Sequence, residues 1–508
     1  MRLKRLFIAK FKNLIDFTIE FNNDFTIVFL GRNASAKSNL MEAIVIIFKA
    51  LDLKEAPPFD YVLEYTCNGT EIKITSQSKT LAIEINGSKI GTQDFYEDSQ
   101  RRYLPKHVFG YYSGTSQRLE SHFERHQNIF YHQQLDNIEM PLRPLFYAQT
   151  IHSQYVLLAF FSFKKDNSAE FLRKYLGITK FENAELILKE PEWFNKQKNK
   201  DDYFWGARGL VRKFLDELRA SVNGPLKIQE KMILPSGESK SECHIYLRID
   251  DLAQLRSFAS KYGSYVDFFK TLETTYLSKL ILELKIRFRK EGIDSILEFS
   301  DLSEGEQQLL TVLGLLKFTK QDESLFLLDE PDTHLNPRWK YEYIDILKEV
   351  VGENETSQII IITHDPLLIA GLRKEQVRIF SIVGADKRAQ AKQPEFDPIG
   401  MGFTGLLTSD MFDFNTTLDK ETQQKLDLKK ALTVKEKLTN EEREQLAKLD
   451  DELENLGFMA TFRDPLYTTF LKAIQKYELF NKKELSSEER KRLDELALKI
   501  VQEIKVDD

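Results

Sequence analysis

An apolar run, Phe25-Thr-Ile-Val-Phe-Leu30, stops at Gly31 and passes through Arg32-Asn33-Ala34-Ser35-Ala36-Lys37 into Ser38–Phe48, a segment with the apolar spacing of a buried helix. A buried strand that turns through a short loop into a helix aims backbone N–H groups at one point, at the positive end of the helix, where phosphate oxygens bind. The chain is thereby held to an α/β architecture built around a P-loop. In that loop Lys37 reaches the β- and γ-phosphates of ATP and Ser38 sets its hydroxyl on Mg²⁺. Gly31, Arg32, Asn33, Ala34, Ser35, Ala36 and Asn39 complete the candidate nucleotide-binding set. Alanine stands at 36, where such loops carry their second glycine, and at 34. Alanine takes positive φ less cheaply than glycine and adds bulk beside phosphates, so weaker binding or slow turnover is expected.

A second apolar strand, Ser324-Leu-Phe-Leu-Leu-Asp329, ends in Asp329-Glu330-Pro331. Two carboxylates at a strand end suit a Walker B element: Asp329 helps hold Mg²⁺ and Glu330 orients or deprotonates the attacking water. Ser303-Glu304-Gly305-Glu306 precedes the apolar helix Gln307–Phe318, and on its own Ser303 with Glu306 is a capping box. Thr363-His364-Asp365 closes the strand Ile359–Ile362.

Hydrophobic residues make up 42% and charged residues 30% of 508, an ordinary globular balance, and the net charge of −7 leaves phosphate contact to local basic patches. Arg101, Arg102 and Lys106 form one such patch; Lys285, Arg287, Arg289 and Lys290 form another, equally readable as a solvated edge strand. Cys67 and Cys243 stand far apart, which fits a reducing cytoplasm, and neither a signal peptide nor a membrane-spanning run is expected. His122, His126 and His132 invite a metal reading that the missing carboxylate set argues against.

The expected organisation is an N-terminal ATPase lobe over 1–130, whose 61–112 part is an antiparallel lobe, and a mostly helical insertion over 131–282. A hairpin is read within that insertion at 227–249. A C-terminal ATPase lobe over 283–400 follows, with strands at 283–300 and 322–330, and then a charged helical extension over 401–508 with an amphipathic helix at Leu438–Leu456.

With its motifs in this order, the chain resembles ABC-type ATPase heads of the SMC, RecF and OLD group. The FKNL start, GRNxSxKSNL, YYSG, DLSEGEQQLLTVLGLL, LLDEPDTHLNP and the later TSDMF and RDPLY segments make it similar to the restriction-system-associated AAA family ATPases, which include those of Septu and related retron defence systems. The resemblance implies an ABC signature in which Ser303, Gly305 and Glu306 bind ATP held by the opposite subunit. It makes His364 the switch histidine and Gln117 the Q-loop candidate for the metal. It further implies a homodimer or higher homo-oligomer, a separate HNH nuclease of the PtuB type, and a retron reverse transcriptase with its RNA and DNA as further partners, with nucleic acid contact and no membrane. The implied function is an ATP-gated regulator in antiphage defence. The alternatives are a RecF-like DNA clamp without nuclease partner and a non-hydrolysing scaffold.

Overall fold

The computed structural model describes residues 1–22, 24–32, 36–56, 59–98, 101–136, 142–163, 168–194, 202–233, 239–319, 323–351, 356–435 and 437–456. Asn33, Ala34 and Ser35 of the P-loop, the hairpin loop 234–238 and the RDPLY segment 463–467 lie outside the described residues. Two compact units are formed, Met1–Phe412 and Asp413–Asp508.

A seven-stranded sheet runs through the first unit in the order Arg388–Lys392, Val377–Val383, Thr26–Gly31, Gln358–Ile362, Ser324–Asp329, His107–Tyr112, Leu145–Ala148. All neighbours are parallel except the antiparallel edge strand Arg388–Lys392. Parallel strands covered on both faces read as unbroken apolar runs, and Thr26–Leu30, Ser324–Asp329 and Gln358–Ile362 are buried at every position. Because successive side chains point to opposite faces, Val28, Leu30, Phe326, Leu328, Ile359 and Ile361 enter one core. Ile27, Phe29, Leu325, Leu327, Ile360 and Ile362 enter the other.

The second of these cores also holds the P-loop helix Lys37–Asp52 and a six-stranded antiparallel sheet, ordered Leu14–Glu20, Arg2–Phe11, Tyr61–Cys67, Thr70–Gln77, Thr80–Ile85, Ser88–Ile90. Among its tight hairpins, those at Asn68-Gly69, Ser78-Lys79 and Asn86-Gly87 place all their turn residues at positive φ, as two-residue turns matched to strand twist require. His107–Tyr112 is not the end of this lobe, as the sequence suggested. It lies in the main sheet, parallel to Ser324–Asp329, and its first five residues are buried without alternation.

The 131–282 segment is less helical than expected. It carries the helices Ile151–Ser162, Ser168–Leu176, Gly209–Ser221, Leu252–Ala259 and Tyr265–Leu277, and also the strands Leu145–Ala148 and Ile178–Lys189. The latter sits at the middle of a second, five-stranded sheet ordered Leu226–Ile233, Ser239–Ile249, Ile178–Lys189, Ile281–Lys290, Leu297–Glu298. The expected hairpin therefore exists as part of a larger sheet, and Ile281–Lys290, read from sequence as an ATPase-lobe strand of the main sheet, pairs instead with Ile178–Lys189. Register shifts at Phe181/Asn183 and Ile187/Leu188 break the two-residue period that reveals a strand in sequence.

In the second unit the helices Lys420–Val434 and Asn440–Asn455 form an antiparallel pair joined by Lys425–Glu452 (3.0 Å) and Lys429–Asp450 (2.6 Å), with Leu432, Leu449 and Leu453 buried. The unit boundary falls after Phe412 and not at 400, because Leu406 and Met411 belong to the core of the first unit. No helix among the described residues is long and apolar enough to cross a membrane.

Candidate nucleotide site

Adjacent parallel strands end on the same edge of the main sheet, where ligands of open α/β sheets bind. That edge brings together the segments after Gly31, Ile362, Asp329 and Tyr112. Lys37 opens the P-loop helix and its Nζ donates to the carbonyls of Gly31 (2.7 Å) and Arg32 (3.1 Å). Burial lowers its ammonium to about 8, against the opposing pull of Asp329 and Glu330. Ala36, just before the helix, adopts φ 79°, the conformation that glycine serves in such loops. Ala36 is 5% exposed and belongs to the core that also holds the P-loop helix, so its methyl packs against protein.

The Ser38 hydroxyl donates to Asp329, whose carboxyl burial pushes up to about 6; Ser38, Lys37 and Arg118 oppose that rise, and Glu330 adds to it. A hydroxyl and a carboxylate in contact beside a cleft form the hard oxygen donor set that Mg²⁺ takes, with waters filling its other positions. A dication there would restore the ionised carboxylate that burial disfavours. The residues present fit the metal.

Glu330 follows at φ 53°, its N–H donating to the Ile362 carbonyl at 2.9 Å. This bond ties the Walker B end to the neighbouring strand, and His364 Nε2 lies 3.7 Å from Glu330 Oε1. Burial, with Lys37 adding and Glu330 opposing, lowers the His364 pKa and so favours its neutral imidazole. Thr363 Oγ1 donates to Asp332 Oδ2 (2.8 Å) and accepts from Asp365 N–H (3.0 Å), while Asp365 pairs with Lys340 (2.7 Å). Asp332 of the loop after Walker B and Lys340 of the following helix Pro337–Val351 thus hold the side chains on either side of the histidine, a role for Asp332 that the sequence reading missed although Asp332 follows Asp329 and Glu330 in the same run.

At the signature segment, Glu306 accepts from the Ser303 N–H (3.0 Å) and hydroxyl (3.1 Å), and the Ser303 hydroxyl accepts from Glu306 N–H (3.3 Å). Glu306 also pairs with Lys290. Glu306, expected among the nucleotide contacts, is therefore committed within its own chain, whereas Ser303 is exposed. Gly305 lies so close to the Walker B loop that a Cβ would stand 2.5 Å from the His334 carbonyl oxygen.

A cleft beside Ser38 and Asp329 is lined also by Glu42, Tyr112, Ser116 and Arg118. Gln117 is exposed and is not among its lining residues. Asn39 is tied to the first hairpin through Asn13 Oδ1 (2.6 Å) and accepts from Arg118. Glu42, one turn beyond Ser38, was not foreseen as part of the site. Burial opposes its ionisation, but hydrogen bonds from His122, Lys12 and Arg118 together lower it to about 2.

His122 and His126 turn to different carboxylates, Glu42 (3.2 Å) and Asp52 (2.7 Å). Among the described residues no group of three His, Cys, Asp or Glu side chains is placed to hold a metal. In the basic clusters, Arg101 pairs with Asp52, Arg102 with Asp98, Lys285 with Glu283, Arg287 with Glu298 and Arg289 with Glu182.

The chain is 26% identical over 159 residues to the Septu protein PtuA of Bacillus mycoides (strain KBAB4), covering 29% of this chain and 22% of that protein. It is 28% identical over 188 residues to the Septu protein PtuA of Bacillus thuringiensis, covering 32% and 46%. The matches thus span less than half the length of either relative. Among solved structures, the SMC head domain from Thermotoga maritima aligns over 78% of this chain and 100% of its own at 16% identity and TM-score 0.34. The recombination mediator RecF bound to ATP aligns over 77% and 97% at 18% identity and TM-score 0.28. The family described as "AAA domain, putative AbiEii toxin, Type IV TA system" matches residues 27–370, from the P-loop strand past His364, and the chain belongs to that family of ATPases.

Proposed function

We propose that this chain is the ATP-binding and ATP-hydrolysing regulator of an antiphage defence system, in which two heads sandwich ATP and their nucleotide state controls an associated HNH nuclease. The observation that carries the ATPase reading is the contact of Ser38 with Asp329, next to Glu330 and His364, at the ends of adjacent strands. Similarity to Septu PtuA proteins supports the defence setting.

In this reading Lys37 turns from the loop carbonyls to the β- and γ-phosphates, which favour its ammonium form. Ser38 and Asp329 would hold Mg²⁺, which would supply positive charge against the phosphates. Glu330 takes the proton of the attacking water or orients it, and neutral His364 donates a hydrogen bond toward the γ-phosphate. Each head's exposed Ser303 completes the site on the other head. The tail beyond 412 serves assembly or partner docking, and retron components belong to the same proposal as partners.

The test is phosphate release by the purified chain beside Glu330→Gln and Lys37→Ala. The reading expects turnover in the native chain, retained ATP binding without turnover in Glu330→Gln, and lost binding in Lys37→Ala. Equal phosphate release from native and Glu330→Gln proteins would remove the catalytic assignment. Co-purification of an HNH protein, with DNA cleavage that changes with added ATP, tests the partnership.

A further inference from the structure

Arg118 holds a position that neither the ATPase motifs nor the capping and packing contacts require. Its backbone is fixed: the Arg118 carbonyl accepts from the Ser121 hydroxyl (3.0 Å), and the next residue, Leu119, is buried in the core. Its side chain is 45% exposed and its guanidinium donates to Glu42 and Asn39. It lines the cleft with Ser38 and Asp329, and its charge is felt by the Asp329 carboxyl and the Tyr112 phenol.

Glu42 keeps hydrogen-bond partners besides Arg118. Lys12 reaches both of its oxygens, at 2.7 and 2.6 Å, and His122 stands 3.2 Å from one of them. Departure of Arg118 would leave this buried carboxylate paired, so the usual penalty for breaking a buried ion pair is largely avoided. An exposed guanidinium on a fixed backbone, beside the hydroxyl and carboxylate that fit Mg²⁺, is suited to a phosphate, whose oxygens match the guanidinium fork.

We propose that Arg118, which contacts Glu42 and Asn39, is a nucleotide-binding residue that moves to the terminal phosphate of ATP when ATP enters the cleft beside Ser38 and Asp329. Arg118 thereby reads the third phosphate and distinguishes ATP from ADP, while Glu42 sets how readily it is released. This inference rests on the ATP-binding reading above.

The experiment is calorimetric titration of the full chain with ATPγS and with ADP, each with Mg²⁺, for the native protein and the Arg118→Ala, Arg118→Lys and Glu42→Gln variants. A charged hydrogen bond is lost in Arg118→Ala, so ATPγS affinity falls about 10-fold or more while ADP affinity stays within about 2-fold. Arg118→Lys loses part of the preference, and Glu42→Gln, which loosens the resting pair, raises ATPγS affinity and leaves ADP unchanged. Equal losses for both nucleotides, or no loss for either, overturn the proposal by making Arg118 a structural partner of Glu42. Should Arg118→Ala fail to fold, Arg118→Lys decides by the same comparison. A native chain that binds neither nucleotide overturns the ATP reading itself, and a native chain that binds both with equal affinity overturns only the role of Arg118.

Discussion

Gly305→Ala separates two reasons for a glycine in the signature segment. A methyl there would lie 2.5 Å from the His334 carbonyl oxygen, and ordinary contact begins near 3.4 Å, so the Walker B loop or the signature helix must retreat by about 0.9 Å (3.4 − 2.5). Overpacking of this kind costs about 1–3 kcal/mol. If the first unit unfolds as one, its size converts that loss to a fall of about 1–3 °C in thermal midpoint. The loop that must move carries Asp332 and follows Glu330, and a displacement near 1 Å at reacting groups lowers turnover about 100-fold. The assay is thermal unfolding of dilute, nucleotide-free protein, in parallel with phosphate release. Lost turnover with an unchanged nucleotide-free midpoint would refute the intramolecular clash and leave the glycine's purpose with ATP held by a second head.

Ala36→Gly relieves an αL alanine by about 1–2 kcal/mol, but gives up about 0.5–1 kcal/mol of backbone entropy and about 0.8 kcal/mol of buried methyl. Denaturant unfolding should therefore shift by less than about 1 kcal/mol. ATP affinity should change little, and a large gain in affinity would contradict the buried placement of the methyl. Burial raises Asp332 to about 6, so its ionisation disfavours the folded state as pH rises from about 4 toward 6. Asp332→Asn should accordingly be the more stable protein at pH 7.5, and this advantage should vanish below about pH 4; a pH-independent difference in thermal midpoints would contradict it. Lys37, lowered to about 8 by burial, should take up a proton when phosphates arrive. Titration of the native chain with ATP in buffers of different ionisation enthalpy should show proton uptake near pH 8.5 that fades near pH 6.5, where Lys37 is already protonated, and equal uptake at both would refute the assignment.

The P-loop, Walker B and His364 were legible in the sequence because each stands at the end of a buried parallel strand whose apolar run stops abruptly in polar residues. The antiparallel lobe was legible from its Asn-Gly turns. Ile178–Lys189 was not, because its bulges break the alternating pattern. Leu145–Ala148 was too short to show one. The pairing of Ile281–Lys290 across the insertion depended on a partner about a hundred residues away. At the site, Lys37, Ser38, Asp329, Glu330 and His364 came together from their motif positions. Glu42 and Arg118 escaped because their roles arise from a contact between the P-loop helix and the segment after Tyr112, which no local pattern records. Gln117 stands between Ser116 and Arg118, both of which line the cleft.

The central claim is that ATP joins two heads through Ser38 and Asp329 of one and Ser303 of the other. The most direct measurement is the mass by light scattering of Glu330→Gln protein with Mg²⁺ and ATP, with Mg²⁺ and ADP, and without nucleotide, each repeated with Ser303→Arg added. The account predicts an ATP-specific increase in mass that the Ser303→Arg change abolishes. A mass that is the same in all three nucleotide conditions, or an ATP-dependent increase that survives Ser303→Arg, would contradict it.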